Sequence, residues 1–189
     1  MRVHETEVVA QGEIREGQGA DRSLDIYDWR ERLRGTIADR KSPVNLVGVG
    51  NELRRDDGVG LEVVSSLRSK LGGSPVPGVR IHGGAPMPER LLARLASHAG
   101  RIVVFDAVEA SGLPGDVVFC PMSDTKYGFF GTHNIPLRLI PGLTERLGDV
   151  FLVGVQPANL EVGLGLSPKV RESVAELVAV VAEGVRERA

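Results

Sequence analysis

Residues 44–50, VNLVGVG, form an apolar run that lacks the alternation of a half-exposed strand. Such a run fits a strand covered on both faces, and strands of that kind belong to parallel sheets sandwiched between helices. The residues just beyond it restrict the fold further. Gly48 and Gly50 break the strand, Asp56 and Asp57 stand side by side, and a helical pattern resumes over 58–71 with Val59, Val63 and Leu67 on one face. The unit then recurs: GVRIHGG leads into the helical PERLLARLASHAG, which Gly100 ends, and RIVVFDAV is a third buried strand. A fourth, GDVVFC, is short and flanked by Pro114 and Pro121, which places it at an edge. DVFLVGVQP is the fifth. The pattern predicts an α/β fold, a three-layer sandwich with a mostly parallel five-stranded sheet, one antiparallel edge strand, and helices on both faces.

Two further helices complete the pattern. THNIPLRLIPGLTERLG is helical but interrupted by Pro136 and Pro141. SPKVRESVAELVAVVAEGVRERA is a long amphipathic helix with Ser167 as N-cap and Pro168 at its first position. At the other end of the chain, Ile26, Trp29, Leu33 and Ile37 recur at helical spacing, whereas the preceding residues are polar and aperiodic. Residues 1–40 are therefore expected to be an extension, a polar tail plus one amphipathic helix docked by Trp29, and residues 41–189 a single domain. A net charge of −2 leaves no electrostatic footprint for nucleic acid. No apolar run is long enough for a membrane span, and the first residues lack the hydrophobic segment of a secretory signal, so the expected location is cytoplasmic with no membrane insertion. The single cysteine, Cys120, excludes an intramolecular disulfide and a Cys-rich zinc site.

In an open α/β sheet, ligands bind outside the carboxyl ends of the strands, near the point where strand order reverses. Segments 48–57, 82–84 and 156–157 leave strands there, and Asp106 ends the third strand. The glycines after the first strand do not make a dinucleotide fingerprint: Leu53 stands where the third glycine should be, and His82 where an acidic residue should end the second strand. Adjacent aspartates would also repel phosphate. One carboxylate of the pair has a structural use at a helix start, and this is assigned to Asp56 as a cap. Asp57 is then left to face the crevice toward Asp106. His133, in GTHNIPL, falls in the first turn of a helix that Thr132 caps. Two oxygen donors and one imidazole from three separated loops suit a first-row divalent metal such as nickel or zinc.

Five blocks, GVGNELRRDDGVG, GGAPMPE, VVFDAVEASGLPGDV, GTHNIPL and FLVGVQP, occur in an order that resembles the hydrogenase maturation endopeptidases, over roughly residues 43–185 and with the hydrogenase 3-type branch nearest. The resemblance implies a peptidase that removes a short C-terminal extension from a [NiFe]-hydrogenase large-subunit precursor after nickel insertion. It also implies that Asp57, Asp106 and His133 are the metal-binding positions, for nickel carried by the precursor, with zinc or another divalent metal able to substitute. Two mechanisms are compatible with these residues. The three hold the precursor's nickel and align the scissile peptide, or Asp57 and Asp106 act as a catalytic carboxylate pair with one member protonated. The family carries DGG at the end of the second strand where this chain has HGG, so His82 is either a rim hydrogen-bonding group or an added ligand. Arg54 and Arg55 are either solvated charges or contacts to acidic groups of the precursor. The aromatics of loop 121–132, Tyr127, Phe129 and Phe130, either grip the precursor or cover the core. A non-catalytic nickel-binding assembly factor is the alternative reading of the same residues.

Overall fold

The computed structural model describes residues 29–72, 76–83, 88–96, 100–122 and 149–188. The polar tail, Ile26, the aromatics of loop 121–132, the proline-interrupted helix and His133 all lie outside them. Helix α1 (Trp29–Ala38) leads into β1 (Val44–Gly48); a single 3-10 turn, Arg55–Gly58, then opens α2 (Val59–Lys70). Next come β2 (Val79–His82), α3 (Pro88–Ala96), β3 (Arg101–Ala107), β4 (Val117–Pro121), β5 (Val150–Val155) and α4 (Pro168–Arg188).

The sheet order is β2-β1-β3-β5-β4. Three neighbouring pairs are parallel, and only β4 runs antiparallel, at the edge beside β5. The five strands, the antiparallel edge and the helical layers agree with the expectation from the sequence. Chain direction across the sheet reverses twice: from β1 the chain goes outward to β2 and returns past β1 to β3, and from β3 it goes to the far edge at β4 and returns to β5. The crevice between β1 and β3 is thus the switch point of the fold.

Successive side chains of a strand face opposite sides, and here each side has its own core. Val44 and Leu46 of β1 and Val103 and Phe105 of β3 join Val63 and Leu67 of α2 and Leu177 and Val181 of α4. Val47, Ile102, Val104 and Leu152 pack on the other side with Leu91, Leu92 and Leu95 of α3. The apolar stripe of α1 joins the first of these cores through Trp29, Leu33 and Ile37. The arginines between them stay outside, where Arg30 pairs with Glu176 and Arg34 with Glu187 of α4. Among the described residues no helix is long and apolar enough to cross a membrane.

Candidate functional site

The acidic turn is pressed against the strand ends by glycines. A Cβ at Gly60 would stand 2.1 Å from Phe105 O and 2.3 Å from Val49 O, so only glycine lets the first turn of α2 lie on both strand exits. Gly50 has φ 150, a region costly for other residues, and a Cβ there would stand 2.2 Å from Asp57 O. That same carbonyl accepts the Asn51 N–H at 3.1 Å, while the Asp57 N–H donates to Arg54 O at 3.1 Å. The space beside these glycines is filled by the chain's own backbone, which removes the basis for a phosphate cradle. Their work is to hold two aspartates over the carboxyl edge.

The two aspartates differ in what they do. Asp56, fully buried, reaches across to the loop after β5. Its Oδ2 accepts the N–H groups of Ala158 and Asn159, both at 2.9 Å, and the Ser167 hydroxyl at 2.8 Å; its Oδ1 accepts the Ser167 N–H at 2.6 Å. Burial alone pushes this carboxyl's pKa up, but the bonds from Ser167, Asn159 and Ala158 outweigh burial and hold it below the ordinary aspartate value. The expectation that Asp56 caps α2 is therefore corrected: no side chain caps that helix or the 3-10 turn, and Asp56 ties the β1 loop to the β5 loop and to the start of α4. Ser167 does precede α4 as expected, with its hydroxyl donated to Asp56. A second tie comes from Gln156, whose Oε1 accepts the N–H groups of Ala110 and Gly112 and so fixes the loop after β3. Three loops around the crevice are thereby joined through the exit of β5.

Asp57 and Asp106 are each only 2% exposed. Asp57 lies in the turn that follows β1, and Asp106 is the penultimate residue of the adjacent parallel strand β3, so the two flank the switch point at its carboxyl edge. Asp106 Oδ1 accepts the Ala107 N–H at 2.8 Å. The structure thus brings two of the three expected site residues to one edge, and the third, His133, lies outside the described residues. Among the described residues no group of three or more His, Cys, Asp and Glu side chains is placed to hold a metal.

His82 turns elsewhere. It is paired in register with Val47, yet its Nε2 lies 3.1 Å from Oδ1 of Asn45, two residues back along β1. Asn45 donates its Nδ2 to Arg101 O, so its oxygen faces the ring and Nε2 carries the hydrogen. The imidazole is drawn away from the carboxyl edge. Burial first, then the charges of Arg94, Arg68 and Arg80, lower its pKa.

The rim next to the acidic turn exposes three large apolar side chains among the polar and charged Asn51, Glu52, Arg54 and Glu161. Residues 53–55 pair with Gly163, the Gly163 N–H donating to Leu53 O and the Arg55 N–H to Gly163 O, both at 2.9 Å. Leu53, Val162 and Leu164 around this pairing are 64%, 84% and 74% exposed. No sequence signal pointed to this pairing or to the part played by Asp56 and Gln156, because their partners lie tens to more than a hundred residues away.

A mostly parallel α/β sheet with carboxylates at its switch point is a ligand-handling architecture. The chain belongs to the hydrogenase maturation protease family, whose sequence model, HycI, matches residues 62–184. It is 30% identical over 155 residues to the hydrogenase expression/formation protein HupD of Thiocapsa roseopersicina, covering 76% of this chain and 68% of that one. In structure it resembles the [NiFe] hydrogenase maturation protease HycI from Thermococcus kodakarensis KOD1, with a TM-score of 0.65 at 24% identity over 82% of this chain and 99% of that one; this likeness speaks to fold. It also resembles the hydrogenase maturating endopeptidase HybD from E. coli, with a TM-score of 0.58 at 25% identity over 77% and 93% of the two chains. The activity class is that of the family, an endopeptidase.

Proposed function

We propose that this protein cuts a short C-terminal extension from a [NiFe]-hydrogenase large-subunit precursor once nickel is in place, and that Asp57, Asp106 and His133 hold the precursor's nickel while the scissile peptide is aligned. The observation that carries the reading is the placement of Asp57 and Asp106, both buried, at the ends of β1 and β3 across the switch point. Carboxylate and imidazole donors suit a first-row divalent ion. Nickel belongs to the substrate in this scheme, and the peptidase reads its presence.

The protein's own contribution is positional. Asp56 and Gln156 fix the three loops around the crevice, so the carboxylates meet the substrate without a loop having to order first. An attacking water between Asp57 and Asp106 would find a proton acceptor on either side. A rim that exposes Leu53, Val162 and Leu164 among charged groups suits a polypeptide better than a small polar molecule. A non-catalytic assembly factor would use the same ligands, but family membership favours cleavage.

The test is intact mass of the precursor after incubation, in nickel-loaded and nickel-free forms. Loss of a C-terminal fragment from the loaded form alone is expected, with His133→Ala abolishing that discrimination. Equal cleavage of both forms would refute metal gating, and intact precursor in both would refute the peptidase reading on that substrate.

A further inference from the structure

Arg55 carries two unfavourable features at once. Its φ is 49, in the left-handed region that suits glycine rather than a long side chain. Its Nε is buried with no hydrogen-bond partner, and none of the ion pairs among the described residues includes it. The neighbouring Asp56 carboxylate does not serve it, being engaged by Ala158, Asn159 and Ser167. The guanidinium is nonetheless seated. It lies against Gly163, where an added Cβ would come within 2.9 Å of Nε, 3.0 Å of Cζ and 3.1 Å of Nη2. The backbone beneath is fixed by the bond from Arg55 N–H to Gly163 O. The Nε side of the guanidinium is closed off against Gly163, which leaves its terminal nitrogens as the part a ligand can reach; a strained, held and half-buried cation two residues from Asp57 is the arrangement expected of a group that receives a ligand.

We propose that Arg55 is a specificity residue that receives a carboxylate of the precursor's C-terminal segment. The proposal rests on the peptidase reading and adds the chemistry of what is recognised. A planar guanidinium held in one orientation offers a carboxylate two parallel donors through Nη1 and Nη2. Asp57 and Asp106 would repel that carboxylate at the bond being cut, so it belongs on the Gly163 side of the turn, within a few residues of the cut at about 3.4 Å per extended residue. It is either an acidic side chain flanking the cleavage point or the terminal carboxylate of the extension.

The experiment measures kcat and KM of wild type, Arg55→Gly and Arg55→Gln on nickel-loaded precursors of three kinds: unmodified, with each flanking Asp or Glu changed to its amide, and with the terminal carboxylate amidated. On the unmodified precursor both variants should raise KM about tenfold or more, with kcat changed far less. Arg55→Gly should melt no lower than wild type, because glycine adopts φ 49 without strain. One neutralised precursor should show the same raised KM with wild type and no further loss with Arg55→Gln, and that arm names the source of the carboxylate. Unchanged KM in both variants overturns the proposal while wild-type cleavage leaves the peptidase reading standing, as does a defect that persists equally on every precursor. If wild type cuts none of them, both fall.

Discussion

The two ends of the sheet are each closed by a buried or half-buried charge, but they are closed differently. At the amino edge Arg188, in the last turn of α4, donates through Nη1 to Ile37 O at 3.0 Å and Asp39 O at 2.6 Å, and through Nη2 to Ser42 O. Arg101, at the start of β3, donates to Thr36 O and pairs with Asp39 at 2.5 Å. The carbonyls left over at the end of α1 are thereby satisfied by cations, a favourable arrangement at a helix C-terminus. At the carboxyl edge Asp56 does the mirror task for backbone N–H groups. That edge, however, also holds Asp57 and Asp106 in a crevice, an arginine with an unused donor, and three exposed apolar side chains. One end uses its charge for stability alone. The other uses Asp56 to tie its loops together and, in the function proposed above, keeps further groups for chemistry.

The sharpest test of this contrast is the pair of adjacent aspartates. Asp57→Asn and Asp106→Asn should each lower cleavage about 100-fold or more while changing the melting temperature little. Asp56→Asn should instead cost about 2–4 kcal/mol, a fall of roughly 5–15 °C, because donors from Ala158, Asn159 and Ser167 would face an amide. Melting curves and single-turnover cleavage on the three variants check this, and equal melting losses for Asp56→Asn and Asp57→Asn would erase the distinction. The sign of the pH effect sharpens it. The Asp56 pKa is lowered on folding, so its stabilisation is full above the unfolded value near 3.8 and is lost as pH falls through the lower folded value. The melting gap between wild type and Asp56→Asn should therefore narrow in strong acid.

A smaller effect is expected at the amino edge. Arg188→Met should cost about 1–3 kcal/mol by leaving carbonyls of Ile37, Asp39 and Ser42 unpaired, and kcat measured below the melting transition should not change. The smallest effect belongs to His82. Its folded pKa lies below the ordinary 6.5, so its contribution is full above that value and is lost as pH falls below it. Melting at pH values on either side of 6.5 should show a shallow slope in wild type that His82→Gln removes. A change in metal-dependent cleavage in that variant would instead restore the ligand reading of His82.

The legible part of this protein was local. The apolar runs at β1, β3 and β5 announced strands covered on both sides, and Pro114 and Pro121 marked the edge strand β4. Trp29, Leu33 and Ile37 announced the buried stripe of α1. Asp106 could be placed at the crevice because it directly follows a buried strand. Asp56 could not be assigned correctly, since a carboxylate before a helix looks like a cap whether or not it serves as one. Arg55 gave no sign of its left-handed backbone, because nothing in GNELRRDDG distinguishes it from Arg54.

What the sequence determined by itself is the alternation of strands and helices and the placing of carboxylates at strand ends, since side-chain periodicity is a property of each segment alone. Only the tertiary structure decided that Asp56 answers to residues 158–167, that His82 bends back to Asn45, and that Gly163 makes room for the Arg55 guanidinium. Those partners are chosen by which loops the strand order β2-β1-β3-β5-β4 brings together. A hydrogen bond forms with whatever donor or acceptor is near in space, and separation along the chain does not enter.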